Sequence, residues 1–401
     1  MTNAPTPTIT ASTASPVCGQ SSVIYSTSAT GQTYAWTVGN GGTLVSGNNT
    51  QSIVVTWANA TPDVAYASTV GLTVTNGGCS GSASTNVTVN PKANPTISGD
   101  AARCSGQSGS YSTPFVVSGR SYAWTISNLP PGMTFTPVSG VNVNAITVNW
   151  VNTGAAPVVA TVQVVETPGN AGNTCTGTTS FNVTVNPLPS VSISGPAQVC
   201  QNSSASYTIT PAQNGLSYAW NVTGANSFTG QGTGTINVAW GTGNGSIALT
   251  VTNTATGCTN TALNNNYAVT TTANPTPSIA TPPGTTACAG STVTYNVLNP
   301  SVNFTYAWAN TGATSASTPA GISYTVTWPT TPGTGTITLT ATTTGGASCS
   351  GSTTRTVSIT PNPTPTISGL TSVCPNTDVT YSTSYNASNT YSWSLPAGTF
   401  S

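Results

Sequence analysis

The side chains able to do chemistry in this chain are few, and nine cysteines stand foremost among them. Five openers lie at positions 18, 104, 200, 288 and 374, and four closers at 79, 175, 258 and 349 fall between them. Two kinds of chemistry use cysteines in such a regular pattern: metal binding and disulfide formation. No Cys-x-x-Cys pair and no histidine is present to complete a zinc shell. The pattern therefore points to disulfides and to an oxidising, extracellular or cell-surface setting. The expected pairs are Cys18–Cys79, Cys104–Cys175, Cys200–Cys258 and Cys288–Cys349. Each closes a loop of roughly 60–70 residues, a stabilisation of about 4 kcal/mol in the chain-entropy account. Cys374 is expected to find its partner beyond Ser401.

Acid–base chemistry has almost nothing to work with. The ionisable residues are Lys92, Arg103, Arg120, Arg355, Asp63, Asp100, Glu166 and Asp378, or 2% of the chain, against about 25% in ordinary globular proteins. Between Glu166 and Arg355 there is none. That stretch holds neither a carboxylate pair for glycoside hydrolysis nor a serine–histidine–acid arrangement. Asp63 and Glu166 read as isolated, solvated loop residues. Asp100 and Arg103 lie near one junction, but the later junctions lack acids, which argues against calcium. Lys92 is the single lysine and lies in a linker, so lysine–asparagine crosslinks have no donor within the modules. The reading is a chain that is not an enzyme and uses no cofactor or metal. Without a basic patch there is no nucleic-acid partner, and without an apolar run of about 18 residues there is no membrane insertion. Met1-Thr2-Asn3-Ala4-Pro5 leads straight into linker-like sequence without a secretion leader. The expectation is a piece of something larger.

Positioning these cysteines is the work of a repeat. An opening cysteine, a Tyr-rich run, a Tyr-x-Trp pair, a Gly/Asn turn, a run ending in Trp, a Thr/Val-rich run and a closing cysteine recur in that order. A period near 90 residues exceeds that of a solenoid and suits an independently cored sandwich. The expected modules are 1–90, 91–186, 187–274 and 275–361, with 362–401 the first part of a fifth. Pro-x-Pro segments such as 187–189 and 361–365 mark short, stiff linkers. In the first module, alternating apolar and polar residues predict strands near 7–10, 21–28, 33–38, 51–57, 66–75 and 83–90. The fold class is all-β: tandem β-sandwiches arranged as an extended rod. Trp36, Trp124, Trp220, Trp308 and Trp393 of the Tyr-x-Trp pairs are expected in the cores. The strand-ending Trp57, Trp150, Trp240 and Trp328 are candidates for a sugar-stacking or partner surface.

The order VC, YS or YT, Tyr-x-Trp, VTW, TVT, GCSG and TVTVNP resembles PKD-like modules. Tyr34-Ala-Trp36-Thr-Val-Gly-Asn-Gly stands where PKD domains carry Tyr-x-Trp-x-Phe-Gly-Asp-Gly, with the aspartate absent. The resemblance implies immunoglobulin-like repeats of large secreted or surface proteins of Bacteroidota, often exported by the type IX system. In that family such repeats act as spacers, stalks or adhesive arrays.

The function expected is therefore structural or adhesive: a stalk, adhesin array or surface filament segment. A carbohydrate-binding region of a larger secreted enzyme and a self-assembling fibre are the alternatives. The partners expected are further copies of the chain or extracellular glycans. Thr-x-Thr runs over 336–342 read as solvent-facing strand residues rather than an ice-binding array. Asn-x-Ser/Thr sites at Asn86, Asn182, Asn202, Asn221, Asn303 and Asn386 are as frequent as composition alone produces.

Overall fold

In the computed structural model, which describes residues 3–60, 64–114, 116–170, 172–261 and 266–395, the alternating runs become strands. The chain is all-β, with no helix among the described residues. In the first module these strands are β1 (Thr10–Ala11), β2 (Val17–Cys18), β3 (Ser22–Ser26), β4 (Thr33–Val38), β5 (Gly42–Ser46), β6 (Ser52–Trp57), β7 (Tyr66–Asn76) and β8 (Cys79–Asn90). One sheet runs β1-β3-β6-β5 and the other β2-β8-β7-β4. Six expected strands lie on or touch β1, β3, β4, β6, β7 and β8. The expectation omits β2, which is two residues long, and β5, whose adjacent Leu44 and Val45 break the alternation.

Alternation decides which side chains meet between the sheets. Ile53, Val55 and Trp57 of β6 point inward, as do Val70, Leu72 and Val74 of β7, and Tyr25 and Trp36 join the same core. Each large side chain so buried contributes about 1.5–3 kcal/mol. The second module also has two sheets, but its Val138–Val141 strand lies beside the Tyr-x-Trp strand: Ser108–Ser112 pairs with Ala145–Asn149 in one sheet. The other runs Val138–Val141, Ser121–Ser127, Val158–Thr167, Gly177–Asn186, Ala102–Cys104. The fourth has its own core around Tyr295, Trp308, Trp328 and Ile337.

One feature of this topology places the cysteines. The short opening strand runs parallel to the last strand of its own module and beside its end: Cys18 pairs with Asn90, Cys104 with Asn186, Cys200 with Thr272 and Cys288 with Thr360. Every opening cysteine therefore sits at the end where the chain leaves its module. Closing cysteines lie at the other end, at the hairpin that starts the last strand; Cys79 faces Asn76 across it.

The chain divides into two compact units. The first comprises Met1–Ser190, Gln213–Ser217 and Thr250–Thr261; the second comprises Val191–Ala212, Tyr218–Leu249 and Ala262–Ser401.

Candidate functional site

The disulfides join neighbouring modules and not the two cysteines of one module. Cys18 is bonded to Cys175, Cys104 to Cys258 and Cys200 to Cys349, with Cα–Cα distances of 5.5, 5.5 and 5.4 Å. This overturns the expected pairs Cys18–Cys79, Cys104–Cys175, Cys200–Cys258 and Cys288–Cys349. The reason is strand length. Cys79 begins β8 and Cys18 lies beside its end, so at about 3.3 Å per residue roughly 35 Å of strand separates them. A disulfide needs Cα atoms within about 7 Å. The cysteine that can reach an opener is the closing cysteine of the following module, whose hairpin lies where the chain enters that module. Cys288 and Cys374 are free thiols, both exposed, and Cys79 is not among the six cysteines of these bridges.

The linker between each bridged pair is held by side-chain amides and by close backbone packing. In the first joint the Asn59 amide donates to the Lys92 carbonyl at 3.1 Å, and its oxygen accepts from the Lys92 N–H at 2.9 Å. From the module that follows, Asn173 Nδ2 donates to the Pro91 carbonyl at 3.0 Å, and the Cys175 carbonyl accepts from the Ala93 N–H at 3.2 Å. A Cβ on Gly177 would stand 2.1 Å from the Ala93 carbonyl oxygen, so glycine is what lets the linker lie against the hairpin. Gly81 and Gly351 make the same approach to the carbonyls of Pro5 and Pro275, each two residues past a closing cysteine. At the corresponding place after Cys258, Asn260 instead donates to the Pro189 carbonyl at 2.9 Å. One backbone linker and one disulfide thus make each bridged joint a two-point attachment.

The strand-ending tryptophans offer no surface. Trp57, Trp150 and Trp240 are 0% exposed and Trp328 is 1% exposed, which rules them out as candidates for a sugar-stacking or partner surface. The inward positions of Ile-x-Val-x-Trp place the first three on the core face, edge-on to a tyrosine: Tyr25–Trp57 at 6.3 Å, Tyr111–Trp150 and Tyr207–Trp240 at 5.9 Å; Trp328 follows Tyr324-x-Val326 on the same face. The Trp150 indole N–H donates to the Tyr111 hydroxyl at 3.0 Å. Burial pushes the Tyr207 hydroxyl up to about 12, with a smaller opposing effect from Trp240. Trp36, Trp124, Trp220 and Trp308 are also buried, and each indole N–H reaches a turn carbonyl at 2.8–2.9 Å. Trp393 differs: it is 41% exposed.

The charged residues hold structure together. Glu166, expected as a solvated loop residue, is instead buried and accepts from Arg120 at 2.7 Å. Alternation explains this as well, since Val162-x-Val164-x-Glu166 and Arg120-x-Tyr122-x-Trp124 put both charges on the inward face. Arg103 pairs with Asp100 at the surface. Arg355 donates to the carbonyls of Ile279, Ala280 and Pro283 at 2.7, 3.0 and 2.7 Å, clamping the loop before the opening strand. Asp63 lies outside the described residues. Among the described residues, no three His, Cys, Asp or Glu gather where they could hold a metal.

A family model for the PKD-like domain matches residues 3–89, 186–269 and 360–401, just over half of the sequence. The chain belongs to the PKD-like domain family. No curated protein matches the chain. Solved structures similar to it include E. coli alpha-2-macroglobulin, at 10% identity and a TM-score of 0.21, covering 89% of this chain. The chain spans 31% of that protein's length. The D1–D4 ectodomain fragment of ICAM-5 is 9% identical with a TM-score of 0.28, over 88% of this chain and 99% of that one. The N-terminal eight Ig domains of the Down syndrome cell adhesion molecule are 13% identical with a TM-score of 0.31, over 89% of this chain and 50% of that one.

Proposed function

We propose that this chain is a non-catalytic structural section of an extracellular or cell-surface protein, a stalk or adhesive array whose disulfides make it resist extension. The observation that carries this reading is the bridging of each of the first three modules to the next. Pulled from its ends, the oxidised chain has a covalent short cut: residues 1–18, across to 175–200, across to 349–401. Only about a quarter of the chain lies on that path. Fully extended at about 3.5 Å per residue it reaches roughly 340 Å, against about 1,400 Å once the bridges are reduced. The strands between Cys18 and Cys175, and between Cys200 and Cys349, are sheltered from tension. A repeat region that presents binding partners away from a cell under flow needs this property. Adhesion itself would come from many weak contacts multiplied along the array, either to extracellular glycans or to further copies of the chain.

Single-molecule force spectroscopy of the whole chain, tethered at its ends, tests the proposal. Oxidised molecules should break without releasing module-sized lengths. After reduction each module should give a step of roughly 300 Å. Steps of that size in oxidised molecules would overturn the reading.

A further inference from the structure

We propose that the cleft around Arg355 in the fourth module binds a carboxylate-bearing sugar, the uronate unit of an acidic glycan. The inference deepens the adhesive part of the proposed function and rests on that part alone. Arg355 is the one charged residue between Glu166 and Asp378, so no carboxylate of its own module neutralises it. Three of its five N–H groups go to the carbonyls of Ile279, Ala280 and Pro283. Among the described residues, the Nε–H and the second Nη2–H have no partner, and Nε is open to solvent. Nε and Nη2 form one edge of the guanidinium, and such an edge takes both oxygens of a carboxylate. The carbonyl clamp already fixes the side chain, so little further ordering is needed when an anion arrives. A cavity of about 420 Å3 lies beside it, within the roughly 300–1,000 Å3 of small-molecule sites. Apart from Arg355 and Ile279, its lining is entirely hydroxyl: Ser278, Thr285, Thr353, Thr354 and Thr356. Thr354 shares its hydroxyl with Thr338 at 3.0 Å. The other four make no side-chain hydrogen bond among the described residues. A charged fork ringed by hydroxyls that both donate and accept matches a sugar acid, which carries a carboxylate and ring hydroxyls together.

Folding does not require an arginine at this position. The opening strands pair with Val89, Val185, Thr271 and Ile359, and four residues before these stand Thr85, Phe181, Tyr267 and Arg355. In the second and third modules the ring here packs on the core tyrosine, Phe181 on Tyr111 at 6.1 Å and Tyr267 on Tyr207 at 5.9 Å. Tyr267 also donates to the Gly195 carbonyl, so one neutral hydroxyl ties down the loop before its opening strand. Threonine, phenylalanine and tyrosine therefore serve the sandwich equally. What the arginine adds is a positive charge with a free donor edge, on a module whose remaining surface is neutral.

The test is isothermal titration calorimetry of the oxidised full chain with trigalacturonate at low salt. The acid should bind and its fully methyl-esterified form should not. Affinity should fall as salt rises, because an open ion pair is screened. Acetate at equal carboxylate concentration should not compete, which separates a sugar acid from a free carboxylate. Arg355→Gln should lose roughly ten- to a hundredfold in affinity, the worth of hydrogen bonds to a charged group. That change also releases the loop, so Thr285→Asp is the second variant. It leaves the carbonyl clamp in place, sets a carboxylate in the same cleft and should abolish binding. Equal binding of acid and ester, no binding of the acid, or undiminished binding by Thr285→Asp overturns the proposal. So does displacement of the trimer by triaspartate at equal concentration, since carboxylates alone would then suffice. Binding of neutral maltotriose in place of trigalacturonate would keep the adhesive reading and overturn this one. None of these titrations depends on whether oxidised molecules resist force, so either reading can fail alone.

Discussion

Glu166 shows how little charge this protein uses and how deeply it commits it. The carboxylate is buried with Arg120 at 2.7 Å in the second module. Removing one partner of such a pair leaves the other charge without compensation in a poorly solvated place, at a cost of about 3–5 kcal/mol. Glu166→Ala should therefore unfold the second module at much lower denaturant concentration. Arg120→Leu/Glu166→Leu should recover most of that loss, because well-packed apolar residues replace a buried pair at little cost. Denaturant melts with the bridges intact check both. The position was legible in the sequence: Val162-x-Val164-x-Glu166 keeps a single face. Charge alone suggested solvent, and alternation was the better guide. Trp57 and its counterparts carry the same lesson, since Ile53-x-Val55-x-Trp57 leaves the ring on the core side.

At the scale of elements, the closing hairpin is the part on which a joint is built. It presents a cysteine to the module before it and, two residues on, a glycine or an asparagine to the linker. Gly177 can have no Cβ without meeting the Ala93 carbonyl oxygen at 2.1 Å. A side chain there has backbone and not a flexible group in its way, so the linker must lift. Gly177→Val should weaken the hold of Asn173 on Pro91 and make the Cys18–Cys175 bridge more accessible. The expected result is a faster loss of that bridge in dilute dithiothreitol than of Cys104–Cys258, followed by alkylation and mass spectrometry. Equal rates for the two bridges would show that the hairpin does not depend on this approach. The cysteines' neighbours held a clue to their place. Gly78-Cys79, Gly257-Cys258 and Cys18-Gly19 are turn sequences, and cysteines at turns sit at module ends and not mid-strand in the core.

As a whole, the molecule has almost nothing that titrates near neutrality: eight charged residues and no histidine. Its buried tyrosines dominate the alkaline side. Burial raises Tyr25, Tyr111 and Tyr295, and Tyr207 reaches about 12. A group raised in the folded state stabilises fully below its unfolded value of about 10 and loses that contribution as pH climbs through the folded value. Thermal stability should be flat between about pH 5 and 9 and should fall from about pH 10 to 12. Cys288 and Cys374 must be alkylated first, so that thiol exchange does not scramble the bridges. A melting temperature that drops steadily between pH 6 and 9 would contradict this account.

Composition, period and alternation determined the class of this protein: all-β, tandem sandwiches, short of charge, with cysteines meant to pair. Those properties are local or periodic, and a single strand's two faces are enough to express them. Which cysteine meets which was decided by tertiary structure alone. The opening strand lies parallel to the last strand and ends where the chain leaves the module, so a strand's length separates the two cysteines of one module. Sequence proximity favoured the near partner, and the geometry of the sandwich put the one in the next module within reach.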